Sequence, residues 1–364
     1  MLLTQYSLIL TLVVAIVMQL LCFGMVNHYV NRNSLSLRNC MLCAFLALAN
    51  ISCQEELFTN TIGQSVPVIY FLLDPNDDVQ HIRIGKSYLP GSTGVDGPPE
   101  SDSTIWKISN EIYVEEYANG LKGNTYRFLP DTTVIKDTGF FPVSNLRVYY
   151  SDFKPVAGRT YQLYVYFPEL NKMVFAKTVA NGLPQIVDPF PLSIRKINFE
   201  AGQPYTVRWY PGQFGGVYQL VFRVHYRDSS DLGEQFNTAD YSSPGIFNLE
   251  PAQMLEYGMG GPSFFEAMAN RIPVIPGIVR EVISVEFILI TGGTDLGIHY
   301  QSANATGNNF TNLMDYSNID NGIGVFSSRS ELHIPNLALS EVTVDQLAQG
   351  DKTHSLGFKD SRGN

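Results

Sequence analysis

The chain has 364 residues, with 34 acidic and 24 basic side chains and a formal net charge of −10. This acidic balance, without any run of five or more basic residues, argues against a nucleic-acid partner, because phosphate groups would be repelled. The length exceeds what one hydrophobic core usually holds, and it therefore predicts two domains.

A lipoprotein signal is predicted near the N-terminus. Arg32 and Arg38 form a positively charged region, residues 41–51 form a short apolar region, and the small residue Ser52 precedes Cys53. This order is that of a signal peptide, and it predicts cleavage before Cys53 followed by acylation of that cysteine. Buried acyl methylenes, at about 0.8 kcal/mol each, hold a protein on a membrane without a spanning helix. The alternative is a core helix that happens to precede a cysteine.

The residues after the signal suggest where the protein is displayed. Gln54, Glu55 and Glu56 resemble the acidic export signal that follows the lipidated cysteine in surface lipoproteins of the Bacteroidota. The alternative is a solvated acidic tether over residues 53–64 that faces the periplasm. The first interpretation predicts a protein that is lipid-anchored in the outer membrane and faces the cell exterior.

The residues before the signal form a second apolar stretch. Residues 1–31 contain no Asp, Glu, Lys or Arg and are long enough to span a bilayer, which needs about 20 apolar residues. The simpler interpretation is that translation begins near Met25, which makes residues 1–24 an overlong gene prediction. The alternative is an inner-membrane anchor. In both cases cleavage removes residues 1–52.

Cysteine usage agrees with this organisation. The four cysteines are Cys22, Cys40, Cys43 and Cys53, and none lies in the body of the chain. The Cys40 and Cys43 pair has the spacing of a redox or zinc motif, but it straddles the start of the apolar signal region. The sequence therefore predicts neither a disulfide nor thiol chemistry.

The first half of the body reads as β-strands. Short segments of alternating or β-branched residues are separated by turn residues, which is typical of a β-sandwich over residues 65–182. The predicted strands are residues 66–73, 79–85, 111–117, 124–129, 146–150, 160–167 and 173–180. Asp74, Pro75 and Asn76 predict a hairpin turn between the first two.

The second half predicts another sandwich, over residues 190–364, after a boundary rich in Gly and Pro at residues 181–191. Further strands are predicted at residues 205–209, 218–226 and 283–290. Trp209 is expected to fill the core, as in immunoglobulin-like or fibronectin type III-like sandwiches.

Two helices are predicted within this second half. One is a small insertion near residues 251–271, where Phe265, Met268 and Ala269 share one helical face. The other is a short C-terminal helix over residues 343–349, with Thr343 as N-cap and Gly350 at its end. The fold class expected is therefore mainly all-β, with two sandwich domains and little helix.

Four blocks of the body together resemble a known family. They are VPVIYFLLDPNDDVQHIRIGKSYL, GRTYQLYVYFPELNKMVFAKT, DYSNIDNGIGVFSSR and LSEVTVDQLAQGDKTHSLGF. In this order, and behind a lipoprotein signal, they are similar to the Bacteroidota outer-membrane lipoproteins grouped only as a domain of unknown function. The resemblance implies a β-rich surface lipoprotein whose partners are the outer-membrane lipid, through acylated Cys53, and a TonB-dependent receptor. It supplies no catalytic residue.

A search for chemistry in the residues themselves predicts no catalytic residue, no cofactor and no metal site. HExxH, GxSxG and P-loop motifs are absent from the sequence. The oxygens of Asp74, Asn76 and Asp78 are spaced like the opening of a calcium loop, but Val79 stands at the place of the loop glycine. The histidines of the body are scattered, with no two at ligand spacing: His81, His225, His299, His333 and His354. Surface or strand-edge positions are expected for His81 and His225, which lie in alternating strands, and the alternative is a metal ligand.

Residues 315–329 remain as the candidate ligand or partner loop. Tyr316, Asp320 and Arg329 would offer an aromatic ring and two charges to a ligand. The alternative is a structured loop that enters a hairpin at Asn321 and Gly322, since this dipeptide favours tight turns.

Two functions follow as hypotheses. The first is a non-catalytic binding or accessory role beside a TonB-dependent transporter. The second is a surface-anchored hydrolase acting on glycans or peptides, because convergent carboxylates need no local motif.

Overall fold

The computed structural model of the protein describes residues 65–87, 106, 108–131, 148–189, 196–200, 202–231, 233–248, 253–305 and 316–364. All of them lie in the compact unit Gly63–Asn364. The predicted lipidation site Cys53 and the predicted export residues Gln54, Glu55 and Glu56 lie outside the described residues. Across these ranges every helix is too short or too polar to cross a membrane.

Strands dominate the described residues, and the mainly β fold class with a sandwich-type arrangement is confirmed. The strands are β1 Pro67–Leu73, β2 Val79–Lys86, β3 Glu111–Ala118, β4 Leu121–Arg127, β5 Leu129–Asp131, β6 Val148–Asp152, β7 Thr160–Phe167, β8 Lys172–Val179, β9 Gln185–Asp188, β10 Tyr205–Tyr210, β11 Gly215–Ser230, β12 Gly233–Ser242, β13 Ile246–Phe247, β14 Leu255–Met259, β15 Val279–Gly293, β16 Ile319–Asp320 and β17 Ile323–Leu337. The first two strands pair as the predicted hairpin.

Three α-helices lie within the described residues: α1 Gly261–Arg271, α2 Thr294–Ala305 and α3 Glu341–Gln349. Short 3-10 turns occur at Pro168–Leu170 and His354–Leu356. The predicted insertion helix is present as α1, but the segment before it forms strand β14. Helix α2 was not predicted, because its apolar residues do not form a helical stripe that the sequence pattern could show.

The strands form three sheets. The largest has the order β12-β11-β15-β17-β1-β2-β6-β5, with β13 paired to β11. The second has the order β16-β8-β7-β3-β4, and the third has the order β14-β10-β9. In the large sheet, β1 and β17 are the first and last strands in chain order, and they pair in parallel at the centre of the sheet.

Two hydrophobic cores lie on the same face of the large sheet. In β17, Phe326 belongs to the first core and Ile334 to the second, and side chains an even number of residues apart in a strand share a face. The five-stranded sheet covers the first core, and the three-stranded sheet with α1 and α3 covers the second. Between them, Asn181 donates hydrogen bonds to the hydroxyl oxygens of Ser328 and Ser330, at 2.9 and 2.7 Å.

The predicted segments 65–182 and 190–364 each supply most of one core. The last core residue of the first segment is Ala180, and the first of the second segment is Ile197. The large sheet, however, takes strands from both segments. The large sheet therefore continues across the predicted boundary, and the division into two domains stays a prediction.

The hairpin expected at Asn321 and Gly322 is wrong. Asn321 adopts φ of 65°, as a tight turn requires, but β16 pairs with β8 while β17 pairs with β1 and β15. The turn therefore passes the chain from one sheet to another, because turn chemistry specifies the local bend and not the partner strand. Next to it, Gly324 has φ of 121°, and a Cβ there would lie 1.9 Å from the carbonyl oxygen of Ile69.

The N-cap of α3 also differs from the expected residue. Ser340 precedes the helix, and its hydroxyl oxygen accepts a hydrogen bond of 3.1 Å from the backbone N–H of Thr343. Thr343 is instead buried, and its hydroxyl oxygen accepts a bond of 2.9 Å from the backbone N–H of Phe199. The predicted C-terminal stop at Gly350 is confirmed.

Candidate binding groove

The three residues of the predicted ligand loop lie in different surroundings. The Tyr316 hydroxyl donates to Asp295 in α2 at 2.8 Å. Asp320 is exposed in β16 opposite Phe175. Arg329 forms an ion pair with Glu331 in β17. The structure thus gives these residues separate partners, and of the three only Arg329 lines a groove beside α2.

The groove lies between α2 and the large sheet, on the face opposite the two cores. Strands β1, β17, β15 and β11 form its floor, and α2 and the chain before β13 form its sides. Its volume is about 360 Å³. The lining residues in the described part of the chain are mostly apolar, with one charged side chain among them: Leu72, Val217, Tyr218, Gln219, Gly245, Phe247, Ile290, Gly292, Leu296, Tyr300 and Arg329.

Helix α2 is positioned by polar contacts at its first turn. One carboxylate oxygen of Asp295 accepts from the Thr178 hydroxyl at 2.7 Å, and the other accepts from the Tyr316 hydroxyl. The backbone N–H of Leu296 donates to the Ser327 hydroxyl oxygen at 3.1 Å. Burial and the hydrogen bond to Asp295 raise the pKa of Tyr316, so its phenol stays neutral. Tyr316 therefore holds the helix that forms one side of the groove.

Two close contacts explain why small residues occur where α2 crosses the sheet. A Cβ on Gly297 would lie 2.9 Å from a backbone carbon of Gly216, and a Cβ on Gly292 would lie 2.6 Å from a methyl of Val217. Such distances are shorter than van der Waals contact. Glycine at these positions lets the helix pack close to the strands and leaves the groove beside it.

A row of charged side chains continues from the groove along the same face of the sheet. We call it the charge ladder. It runs across β12, β11, β15 and β17 and alternates in sign: Asp240, Arg223, Glu286, His333, Glu331 and Arg329. Arg329 is the last residue of the ladder, and it also lines the groove. The ladder therefore places the negative charge of Glu331 next to the cation of the groove wall.

His333 is held between two carboxylates of this ladder. Its Nδ1 lies 2.8 Å from a Glu286 oxygen, and its Nε2 lies 2.9 Å from a Glu331 oxygen. A neutral imidazole has only one N–H, so this geometry favours the doubly protonated ring. Burial alone would lower the pKa of His333, but the two hydrogen bonds outweigh it and the pKa is raised.

We expect this contact to stabilise the protein at low pH more than at high pH. Because the folded-state pKa of His333 is raised, its contribution is complete below the unfolded-state value of about 6.5 and disappears as pH rises through the folded-state value. The effect should stay below about 1 kcal/mol, since the pair is partly exposed. Urea unfolding of wild type and His333→Gln at about pH 6 and about pH 9 measures it. An equal difference between the two proteins at both pH values would contradict the expectation.

Two observations describe the polar chemistry of the groove. Within the described ranges, no three His, Cys, Asp or Glu side chains are placed to hold a metal ion. The carboxylate nearest to Arg329, that of Glu331, is engaged by Arg329 and His333. The groove therefore combines an apolar wall with one guanidinium, and the exposed side chain of Tyr300 also lines it.

Sequence reasoning found Arg329 but missed its surroundings. The sequence does not reveal the contact of His333 with Glu286, because the two residues are far apart in the chain and meet only where β15 pairs with β17. One signal was present, since Arg329, Glu331 and His333 stand at every second position of a strand. Period-two spacing places such side chains on one face of a sheet.

Comparison with known proteins gives no family for the chain. No family model matches the chain, and no curated protein matches it. Among solved structures, it is similar to the C-terminal globular domain of an oligosaccharyltransferase from Pyrococcus abyssi, with 12% sequence identity and a TM-score of 0.16. The match covers 74% of this chain and 45% of that chain, so this chain spans less than half the length of that structure. A TM-score this low assigns neither fold nor activity.

Proposed function

We propose that the protein is an outer-membrane lipoprotein, anchored through acylated Cys53 and displayed on the cell surface, that binds a ligand without transforming it. The groove beside α2 carries this proposal. Its volume of about 360 Å³ falls within the range of small-molecule sites, about 300–1,000 Å³. Such sites combine apolar walls with a few polar groups that orient the ligand, and Arg329 is such a group.

The ion pairs around the groove support binding rather than hydrolysis. A hydrolase would need a carboxylate that is presented to the substrate as acid, base or nucleophile. Glu331 accepts hydrogen bonds from both Arg329 and His333, and Glu286 accepts one from His333. These carboxylates stabilise the ladder, and the groove wall itself contributes a cation.

The lipid anchor and the partner rest on the sequence. The signal before Cys53 and the acidic residues after it support anchoring and surface display. The resemblance to Bacteroidota outer-membrane lipoproteins supports a TonB-dependent receptor as the neighbour to which a bound ligand would be passed. Affinity purification from solubilised outer membrane tests this partner directly, because a stoichiometric receptor is expected.

We expect Cys53→Ala to release the protein from the membrane. The acyl chains are the proposed anchor, so the variant should appear in the soluble periplasmic fraction, while wild type stays with the outer membrane. Mass spectrometry of the N-terminal peptide provides an independent measurement, since it should show an acylated Cys53. An unmodified Cys53 in membrane-bound protein would contradict the anchor.

The binding role is tested by filling the groove. Leu72→Trp would place a large ring in the groove, while Leu121→Trp adds the same ring at an exposed edge strand, where the leucine is 75% exposed. Native mass spectrometry of protein purified from its own membrane should show a bound small molecule in wild type and in Leu121→Trp, and none in Leu72→Trp. Turnover of a glycan or peptide by wild type that Leu72→Trp abolishes would instead support the hydrolase.

A further inference from the structure

The charge of the groove wall restricts what it can bind. Among the described residues that line the groove, Arg329 is the one charged residue, and the others are apolar or neutral. Leu72, Val217 and Ile290 contribute aliphatic surface from three different strands of the floor. A complementary ligand therefore has an apolar body and a single negative group. A cationic ligand would be repelled by Arg329, and no carboxylate among the described lining residues would attract it.

The guanidinium of Arg329 has donors for such a group. It carries five N–H donors in one plane, and the structure records a hydrogen bond from Nη2 to one oxygen of Glu331. The side chain is 37% exposed. The second oxygen of Glu331 accepts from His333 at 2.9 Å, so two cations share the charge of this carboxylate. The charge of Arg329 also favours the ionised form of Asp74, but the recorded side-chain hydrogen bond of the guanidinium is the one to Glu331. Its other N–H donors can therefore pair with the carboxylate of a ligand.

The size of the groove limits the ligand further. A volume of about 360 Å³ lies at the lower end of small-molecule sites, about 300–1,000 Å³. Tyr300 in α2 is 52% exposed, and Phe247 in β13 also lines the groove. A volume of this size fits a small molecule and not a polymer or a folded segment.

We infer that the groove binds a small amphipathic monocarboxylate, with its apolar body against the strands of the floor and its carboxylate on Arg329. This inference rests on the proposed function and names the class of its ligand. A carboxylate is favoured because its two oxygens match the parallel N–H groups of a guanidinium. The net charge of −10 disfavours polyanions, which would be repelled by the rest of the surface.

Calorimetric titration of the full chain with three probes of equal length tests the inference. The probes are octanoate, octanamide and octylammonium, which have the same total number of carbon atoms and carry a negative, a neutral and a positive head. We expect octanoate to bind more tightly than octanamide, and octylammonium to bind most weakly. Arg329→Gln should weaken octanoate by about 10- to 100-fold, the effect of losing charge-assisted hydrogen bonds, and should leave octanamide unchanged.

Arg227→Gln is the matched control. Arg227 also projects from the large sheet and is paired with Glu281 and Glu234, but it does not line the groove. This variant removes the same charge and should leave octanoate binding unchanged. The melting temperature of each variant, measured by circular dichroism, confirms that it is folded before titration.

Four results would overturn the inference. They are equal affinity for octanoate and octanamide, preference for octylammonium, failure of all three probes to bind, and equal loss of octanoate binding in Arg227→Gln and Arg329→Gln. If one of them occurs while the native ligand is still displaced by Leu72→Trp, the ligand class is wrong and the proposed function stands. If Leu72→Trp also retains the native ligand, the proposed function fails as well.

Discussion

Trp209→Ala should lower the free energy of unfolding by about 3–5 kcal/mol. Trp209 lies in β10, is 0% exposed, and packs at 5.6 Å between ring centroids against Tyr218 of β11. It is the largest fully buried side chain in the described part of the protein. Its removal would leave a cavity between the three-stranded and the large sheet, where neither sheet can close without losing strand pairing.

Trp209→Phe separates packing from hydrogen bonding. The indole Nε1 has no hydrogen-bond partner among the described residues, so this variant loses volume but no hydrogen bond, and it should cost less than Trp209→Ala. Phe236→Ala is the surface control, because Phe236 is 70% exposed in β12. Urea unfolding followed by circular dichroism measures all three. If Trp209→Ala costs no more than Phe236→Ala, Trp209 does not support the core.

Asp228→Ala should also be strongly destabilising, by about 3–5 kcal/mol, because it leaves a buried cation without its partner. Arg280 is 0% exposed, and its Nε lies 2.9 Å from Asp228. Its Nη1 donates to the carbonyl oxygen of Leu356 at 2.6 Å, and its guanidinium lies 5.9 Å from the ring centroid of Tyr226. Arg280 therefore connects β11 and β15 to the C-terminal segment.

The neighbouring pair supplies an internal control. Arg227 faces Glu281 at the next position of the same two strands, and Asp228 faces Arg280. The first pair is on the exposed side and the second is inside. We expect Glu281→Ala to cause no measurable change in urea unfolding, since solvent screens exposed ion pairs. Arg280→Met combined with Asp228→Leu should recover much of the stability lost in Asp228→Ala, because no buried charge remains.

If the double variant is no more stable than Asp228→Ala, the hydrogen bond from Arg280 to the Leu356 carbonyl matters more than the charge of the pair. If Asp228→Ala lowers the free energy of unfolding no more than Glu281→Ala does, the pair of Asp228 and Arg280 is exposed to water in solution.

Strand positions could be predicted from the sequence because they depend on local pattern. Residues 160–167 alternate apolar and polar, and they form β7 with its inward side chains buried. Trp209 follows Val207 at period two, which identified it as a core residue before its neighbours were known. Side-chain alternation is a property of each strand by itself, and it survives in the folded protein.

Strand partners were decided only by the tertiary structure. The parallel pairing of β1 with β17, the separation of β16 from β17 and the continuation of one sheet across two cores all depend on contacts distant in sequence. Helix α2 forms where its first turn is bonded to Thr178 and Ser327, and its own sequence shows little amphipathic pattern.

The candidate site likewise depends partly on local sequence and partly on tertiary contacts. Arg329 was singled out by its type and position, but its role as the charged wall of a groove depends on α2 and on four strands from both halves of the chain. Glu286 and His333 meet across β15 and β17. A sequence reports the chemistry that each side chain can offer, whereas strand register decides which side chains come within hydrogen-bonding distance.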